Sequence, residues 1–193
     1  MHDKLIDYIN QLAVSPLSDQ EAETIKRIFE PKKLRKRQYF LQKGEVCKYY
    51  GFVVRGAMRQ YSVDEKGNEH IVRLSLENWW TGDRESFTML TPSAFYIDAW
   101  EEADLLTITH ADLTILNGNQ AFLEMKSKLD EKHAFALQKR VNANISLTAE
   151  QHYEALAAWY PEFLQRFPQH IIASYLGITK ETLSRIRNNA AKK

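Results

Sequence analysis

The segment Gln169 to Arg187, QHIIASYLGITKETLSRIR, decides how the C-terminal part of this chain folds. Ile172, Ala173 and Leu176 recur at helical spacing. Gly177 follows where the chain must leave the helix through a positive φ, a conformation glycine takes without a Cβ penalty. Ile178 is expected to plug the angle before the next helix, Thr179 to cap that helix, and Leu183 with Ile186 to form its buried stripe. Lys180, Glu181, Ser184 and Arg185 then face outward, with donors and acceptors that reach base edges in a major groove. Arginine suits guanine, and glutamate accepts from the amino group of cytosine. The offsets are those of a helix-turn-helix rather than of an arbitrary helical hairpin. Charge agrees, because Arg166 to Lys193 holds six Lys or Arg against the single Glu181 in a chain of net charge +1. A basic end on a nearly neutral chain implies a phosphate partner, here double-stranded DNA.

The 193 residues suffice for about two domains of roughly 100 to 150 residues each. Hydrophobic residues make up 44% of the chain, with no apolar run of membrane-spanning length and no signal-peptide pattern at the start. A cytoplasmic protein that does not engage membranes is expected. The lone Cys47 cannot form an internal disulfide or hold an iron–sulfur cluster, and is expected as a packed side chain. His2, His70, His110, His133, His152 and His170 are scattered without an H-x-H pair or HExxH, so no metal ligands are assigned. That weighs against a cupin-type metalloenzyme. No phosphate loop, nucleophile elbow or paired-carboxylate motif is present, so no catalytic residues and no cofactor are assigned.

Along the chain the pattern predicts helices, then strands, then helices. Leu5, Tyr8, Ile9 and Leu12 mark an opening helix, and Ser18 with Glu21 forms a capping box before a second one carrying Ile25, Ile28 and Phe29. Pro31 is read as closing that section. From Tyr39 to Ile108, short apolar segments split by turn signals predict a sandwich or roll, clearest at 53–54, 58–63, 71–76 and 96–100. Beyond Asn119, Phe122, Met125, Leu129, Ala136 and Leu137 recur near heptad spacing and predict a long helix whose narrow stripe favours pairing with a second copy. Asn142 to Ser146 (NANIS) reads as a hinge, and Leu156 with Trp159 should pack inward before Pro161. The predicted units are 1–118, 119–142 and 146–193.

ITKETLSRIR (Ile178 to Arg187), LQKGEVCKYYGFVVRGAMRQY (Leu41 to Tyr61) and the turn DEKGNE (Asp64 to Glu69) together resemble the CRP/FNR superfamily of bacterial transcription regulators, over essentially the whole chain. The resemblance implies an α+β fold: an N-terminal antiparallel β-roll of the cyclic-nucleotide-binding type (a double-stranded β-helix) with flanking helices, a long dimerisation helix, and a small all-α helix-turn-helix domain. It implies base reading by Lys180, Glu181 and Arg185, phosphate contacts by Gln169, Thr179 and Thr182, and a homodimer through the helix after Asn119. The few residues after Arg187 leave no room for the family's β-hairpin wing, so a shallow salt dependence is expected.

The sensor half departs from the family. Members that bind cyclic AMP carry a glycine and glutamate, then further on an arginine with a small hydroxyl residue that takes the phosphate. In TGDRESFTMLTPSAF, Gly82 and Asp83 fill the first pair, but Ser93 and Ala94 replace the second. Losing a guanidinium–phosphate pair costs on the order of 2 to 5 kcal/mol. Cyclic AMP should therefore bind weakly or not at all unless Arg84 substitutes. Trp79, Trp80, Phe87, Phe95, Tyr96 and Trp100 are expected around that place, either stacking on an apolar effector or filling it as core. The basic run Lys32, Lys33, Arg35, Lys36 and Arg37 is read as a solvated face, with DNA or RNA polymerase as the alternative contact. The reading is a dimeric DNA-binding regulator that is not an enzyme; the competing one is a ligand-binding module that regulates a protein partner.

Overall fold

Ser18 and Glu21 start the second helix as their spacing demands: the Glu21 N–H donates to Ser18 Oγ, and the Ser18 N–H donates to the Glu21 carboxylate at 2.9 Å. In the computed structural model, which describes residues 1–190, this helix is α2 (Asp19–Ile28), and it follows α1 (His2–Leu12). The chain divides into two units. One comprises Met1–Gln60 with Leu74–Glu131, the other Tyr61–Arg73 with the residues from Lys132 onward.

Among the described residues, eight strands form two four-stranded sheets: β1 (Glu30–Leu34), β2 (Tyr39–Leu41), β3 (Tyr49–Arg55), β4 (Met58–Val63), β5 (Glu69–Ser75), β6 (Trp80–Thr81), β7 (Tyr96–Ala99) and β8 (Ala103–Thr109). The sheet orders are β1-β8-β3-β6 and β2-β7-β4-β5, with antiparallel pairing of β1 and β3 to β8, of β6 to β3 and of β2 to β7. This is the antiparallel roll expected from the sequence.

Its strands begin earlier than predicted. Pro31 and the lysines after it lie in β1, which pairs with β8 from Glu30 opposite Thr107 to Leu34 opposite Ala103. Leu34 is the one buried residue of that strand, so no apolar alternation marks it. Two short helices also escaped the pattern, α3 (Arg84–Met89) and α4 (His110–Ile115), capped by Asp83 and Thr109.

The long helix, α5, runs Gln120–Ser146. The predicted hinge is therefore helical, because NANIS contains neither proline nor glycine to end it. The break comes at Leu147, before Thr148 caps α6 (Ala149–Trp159) through a second capping box with Gln151. The stripe on α5 serves two environments. Ala121, Phe122 and Met125 are buried in one core with Leu5, Ile9, Ile25, Phe52 and Trp80, so this half packs on its own roll. Farther along, Phe135, Leu137, Val141 and Ile145 are exposed.

A second core, built from Leu41, Cys47, Val53, Met58, Phe87, Ile97 and Leu105, fills the roll. Beside it Arg59 on β4 grips Asp98 on the neighbouring β7 with two bonds of 2.8 Å, and both side chains are only 3% exposed. Trp100 lies against the Arg59 guanidinium, 5.5 Å from ring centroid to Cζ.

In the other unit, α6 is followed by α7 (Pro161–Arg166), α8 (Gln169–Leu176) and α9 (Lys180–Ala190). Leu156, Phe163, Phe167, Ile171, Ile172, Leu176, Leu183 and Ile186 are buried. Trp159, expected inward, is 44% exposed with Lys139 Nζ 5.7 Å from its ring centroid; Phe163 and Phe167 occupy the interior instead. The tip of the β4–β5 hairpin joins this unit through Ser174, whose hydroxyl donates to the Glu69 carbonyl (2.8 Å) and accepts from the Ile71 N–H (2.9 Å). The Arg140 guanidinium donates to the Val72 carbonyl and lies over the Tyr175 ring. Among the described residues, no helix is long and apolar enough to cross a membrane.

Removing one partner of a buried ion pair strands the other charge. Asp98→Ala is expected to lower stability by about 3–5 kcal/mol in urea unfolding, whereas the apolar double substitution Arg59→Met with Asp98→Leu should lose far less.

Candidate nucleic-acid interface and effector region

Gly177 adopts φ 69° and ψ 26° at the end of α8, and the following Ile178 N–H bonds back to the Ala173 carbonyl at 3.0 Å. This left-handed cap turns the chain without a Cβ clash. At the start of α9 the Thr182 N–H donates to Thr179 Oγ1 at 3.2 Å, which satisfies one of the free amides there. Leu183 and Ile186 are 1% and 5% exposed and hold α9 onto the unit's core.

The outward face of α9 carries exposed Lys180, Glu181 and Arg185, with Ser184 half-buried. With Gln169, from the first turn of α8, they line one open concave surface that Asn188 and Asn189 extend. Thr179 and Thr182 do not line it; their hydroxyls lie 3.0 Å apart in the cap. Sequence reasoning missed Asn188, although its offset from Glu181, Ser184 and Arg185 places it on their face. The absent wing was read from residues 188–193, of which 191–193 lie outside the described residues.

The effector region is occupied by the protein's own side chains. Gly82 (φ 147°) lies against the Tyr50 ring so closely that a Cβ would stand 2.4 Å from Cδ2. Tyr50 in turn stacks on Trp80 (6.0 Å between centroids) and touches Phe87 (5.5 Å). Ser93 Oγ donates to Asp83 Oδ2 at 2.7 Å, and Asp83 Oδ1 accepts from the Ser86 N–H, so the two positions expected to meet do meet, both buried. Ser86 Oγ donates to the Thr91 carbonyl and accepts from the Cys47 N–H. Ala94 is exposed. Arg84 points elsewhere, forming bonds of 2.7 and 2.9 Å to the Asp130 carboxylate on α5, which Lys126 also contacts.

Trp80 and Phe87 meet through Tyr50, whereas Tyr96 pairs with Tyr39, and Trp100 packs against Arg37 (4.0 Å) as well as Arg59. Tyr39 and Arg37 come from β2 and its preceding turn and Arg59 from β4, partners that a linear pattern does not reveal. In the basic run, Lys32 stands over the Tyr49 ring and Lys36 over Trp100. Cys47 is 1% exposed, and burial pushes its thiol up to about 11.

Residues 31–116 match the cyclic nucleotide-binding domain family. The Anaerobic regulatory protein of Haemophilus influenzae is 29% identical over 197 residues, covering 92% of this chain and 74% of that protein. That of Pasteurella multocida is 26% identical over 198 residues, covering 95% and 72%. The chain is thus similar to curated anaerobic regulatory proteins over nearly its whole length and matches the cyclic nucleotide-binding domain family over part of it. Its fold matches FixK2 from Bradyrhizobium japonicum at a TM-score of 0.67 and 19% identity, covering 86% of this chain and 85% of that one. The Thermus thermophilus Catabolite Activator Protein matches at 0.55 and 17%, covering 91% and 84%. The relatives are regulators rather than enzymes.

Ser93→Ala removes the hydroxyl that satisfies a buried carboxylate, and should cost about 1.5–3 kcal/mol by thermal or urea unfolding. Cys47 should resist thiol reagents at pH 8 in the folded protein and react once denaturant is added, because the thiolate is both scarce and enclosed.

Proposed function

We propose that the protein is a sequence-specific DNA-binding transcription regulator that acts as a homodimer and does not use cyclic AMP. The observation that carries this reading is the open face of α9. Base-reading donors and acceptors of Lys180, Glu181, Ser184 and Arg185 stand together opposite the buried Leu183 and Ile186. Gln169, Thr179 and Thr182, at the starts of α8 and α9, are assigned to phosphates, where helix N-termini favour anions.

Dimerisation is assigned to the second half of α5. Leu137, Val141 and Ile145, spaced by four, are 63%, 48% and 79% exposed, and Phe135 is 60% exposed. Burying such side chains is worth about 1.5–3 kcal/mol each, and a second copy of the same helix offers a matching stripe. Two recognition helices then enter successive major grooves about 34 Å apart on a pseudo-palindromic site. The roll works without the nucleotide because Ser93 leaves no cation for its phosphate and Arg84 is engaged with Asp130.

Selection from a random duplex library tests the reading. An inverted repeat with half-sites about one helical turn apart is expected, and retention of no motif would overturn it. Arg185→Ala should weaken the selected site on the order of 10- to 100-fold. If the protein instead only modulates another protein, its activity will survive Arg185→Ala. Leu137→Glu with Ile145→Glu should yield a monomer in sedimentation analysis that has lost the palindromic site. Calorimetry should show no micromolar binding of cyclic AMP.

A further inference from the structure

We propose that Asn188 is a further specificity-determining residue, reading an adenine through its side-chain amide and so extending the half-site by one base pair beyond Arg185. The inference rests on the DNA-binding reading above and adds a position that the helix-turn-helix pattern leaves out.

Helix geometry places Asn188 at the apex of the exposed face. At about 100° per residue, Glu181 and Asn188 both fall within about 10° of the direction opposite the midpoint of Leu183 and Ile186. Ser184 and Arg185 flank that direction at about 50° on either side, while Lys180 and Asn189 stand at about 90°, where a helix meets the groove walls. Leu183 and Ile186 fix this rotation, because both are buried. Asn188 is exposed and lines the same concave surface as Glu181, Ser184 and Arg185. The face therefore continues past Arg185 for another turn.

The length is compatible with a groove. Glu181 to Asn188 spans about 10 Å along the axis, within a major groove about 12 Å wide. Arg185 to Asn188 covers about 4.5 Å, close to one base-pair step of about 3.4 Å. The offsets i, i+3, i+4 and i+7 are also those by which a homeodomain helix reads successive bases. Chemistry then selects the base. A carboxamide offers an acceptor and a donor side by side, which complement the N6 amino group and N7 of adenine. At the apex the amide is directed at the groove floor; a phosphate-binding role would suit the flanks, where Lys180 already stands.

The test is random-duplex selection with the full chain, with Asn188→Ala and with Asn188→Asp, each checked for an unchanged melting temperature. The wild type should prefer an A·T pair next to the position that Arg185→Ala relaxes. Asn188→Ala should lose that preference, roughly 10-fold, at this pair and nowhere else. Asn188→Asp, an acceptor alone, should shift it toward cytosine. If the wild type selects an inverted repeat but both variants select the same one, the proposal falls while the DNA-binding reading stands. A uniform loss of affinity without a change in preference would make Asn188 a phosphate contact and would overturn it equally. A wild type that retains no motif removes the proposal together with the reading it rests on.

Discussion

The burial of Phe122 and Met125 is the contact on which the rest of the molecule depends. These two side chains join α1, α2, the β1-β8-β3-β6 sheet and α5 in one core, alongside Leu5, Ile9, Ile25, Phe52 and Trp80. Side chains of this size lose about 2–5 kcal/mol when truncated in a core, far more than any exposed ion pair contributes. They therefore fix which face of α5 meets the roll. Of the apolar residues of α5, Ala121, Phe122 and Met125 lie in this core and Ala143 is buried farther along, whereas Phe135, Leu137, Val141 and Ile145 are exposed.

In the region expected to take an effector, Asp83, Ser86 and Ser93 are bonded within the protein, while the buried Trp80 indole N–H has no hydrogen-bond partner. Asp83 caps α3 and accepts from Ser93, and Ser86 spans Cys47 and Thr91, so these side chains already have hydrogen-bond partners within the protein. Gly82 is required for another reason. Its φ of 147° and the closeness of the Tyr50 ring leave no room for a side chain, so the glycine admits an aromatic side chain of the protein itself. A small molecule entering here would have to break these bonds before forming its own, a cost that subtracts directly from its affinity.

Much of this was legible in the sequence, and the reasons for the exceptions are physical. The helix-turn-helix is set by local rules, namely the periodicity of Leu183 and Ile186, the Thr179 cap and the positive φ at Gly177, so it could be read without tertiary information. The two capping boxes at Ser18 and Thr148 are equally local. Strand β1 was not, because its hydrogen bonds to β8 come from residues some seventy positions away, while its side chains are mostly solvated. Small polar residues made Asn142 to Ser146 look like a linker. A helix needs only the absence of breakers to run through them, and Ala143 is buried. Trp159 misled because a large ring predicts burial, while a nearby lysine allows it to remain at the surface. Sequence spacing also does not reveal that Ser93 is hydrogen-bonded to Asp83.

Arg84 and Asp130 show how energy and direction are divided at the join between α3 and α5. Burial raises the pKa of the Asp130 carboxyl, yet hydrogen bonds from Arg84 and Lys126 outweigh it and hold the group below the usual carboxylate range. A depressed carboxylate pKa contributes stability that is present above the ordinary range and disappears as pH falls through the folded value. All three side chains are at least a third exposed, so solvent and salt screen much of the attraction. The pair therefore adds little to the free energy that Phe122 and Met125 already supply. Its effect is angular: two parallel bonds to one carboxylate restrict rotation in a way that a non-directional apolar contact does not. Apolar burial decides that α5 lies on the roll, and the guanidinium fork decides where along α5 the short helix α3 is held.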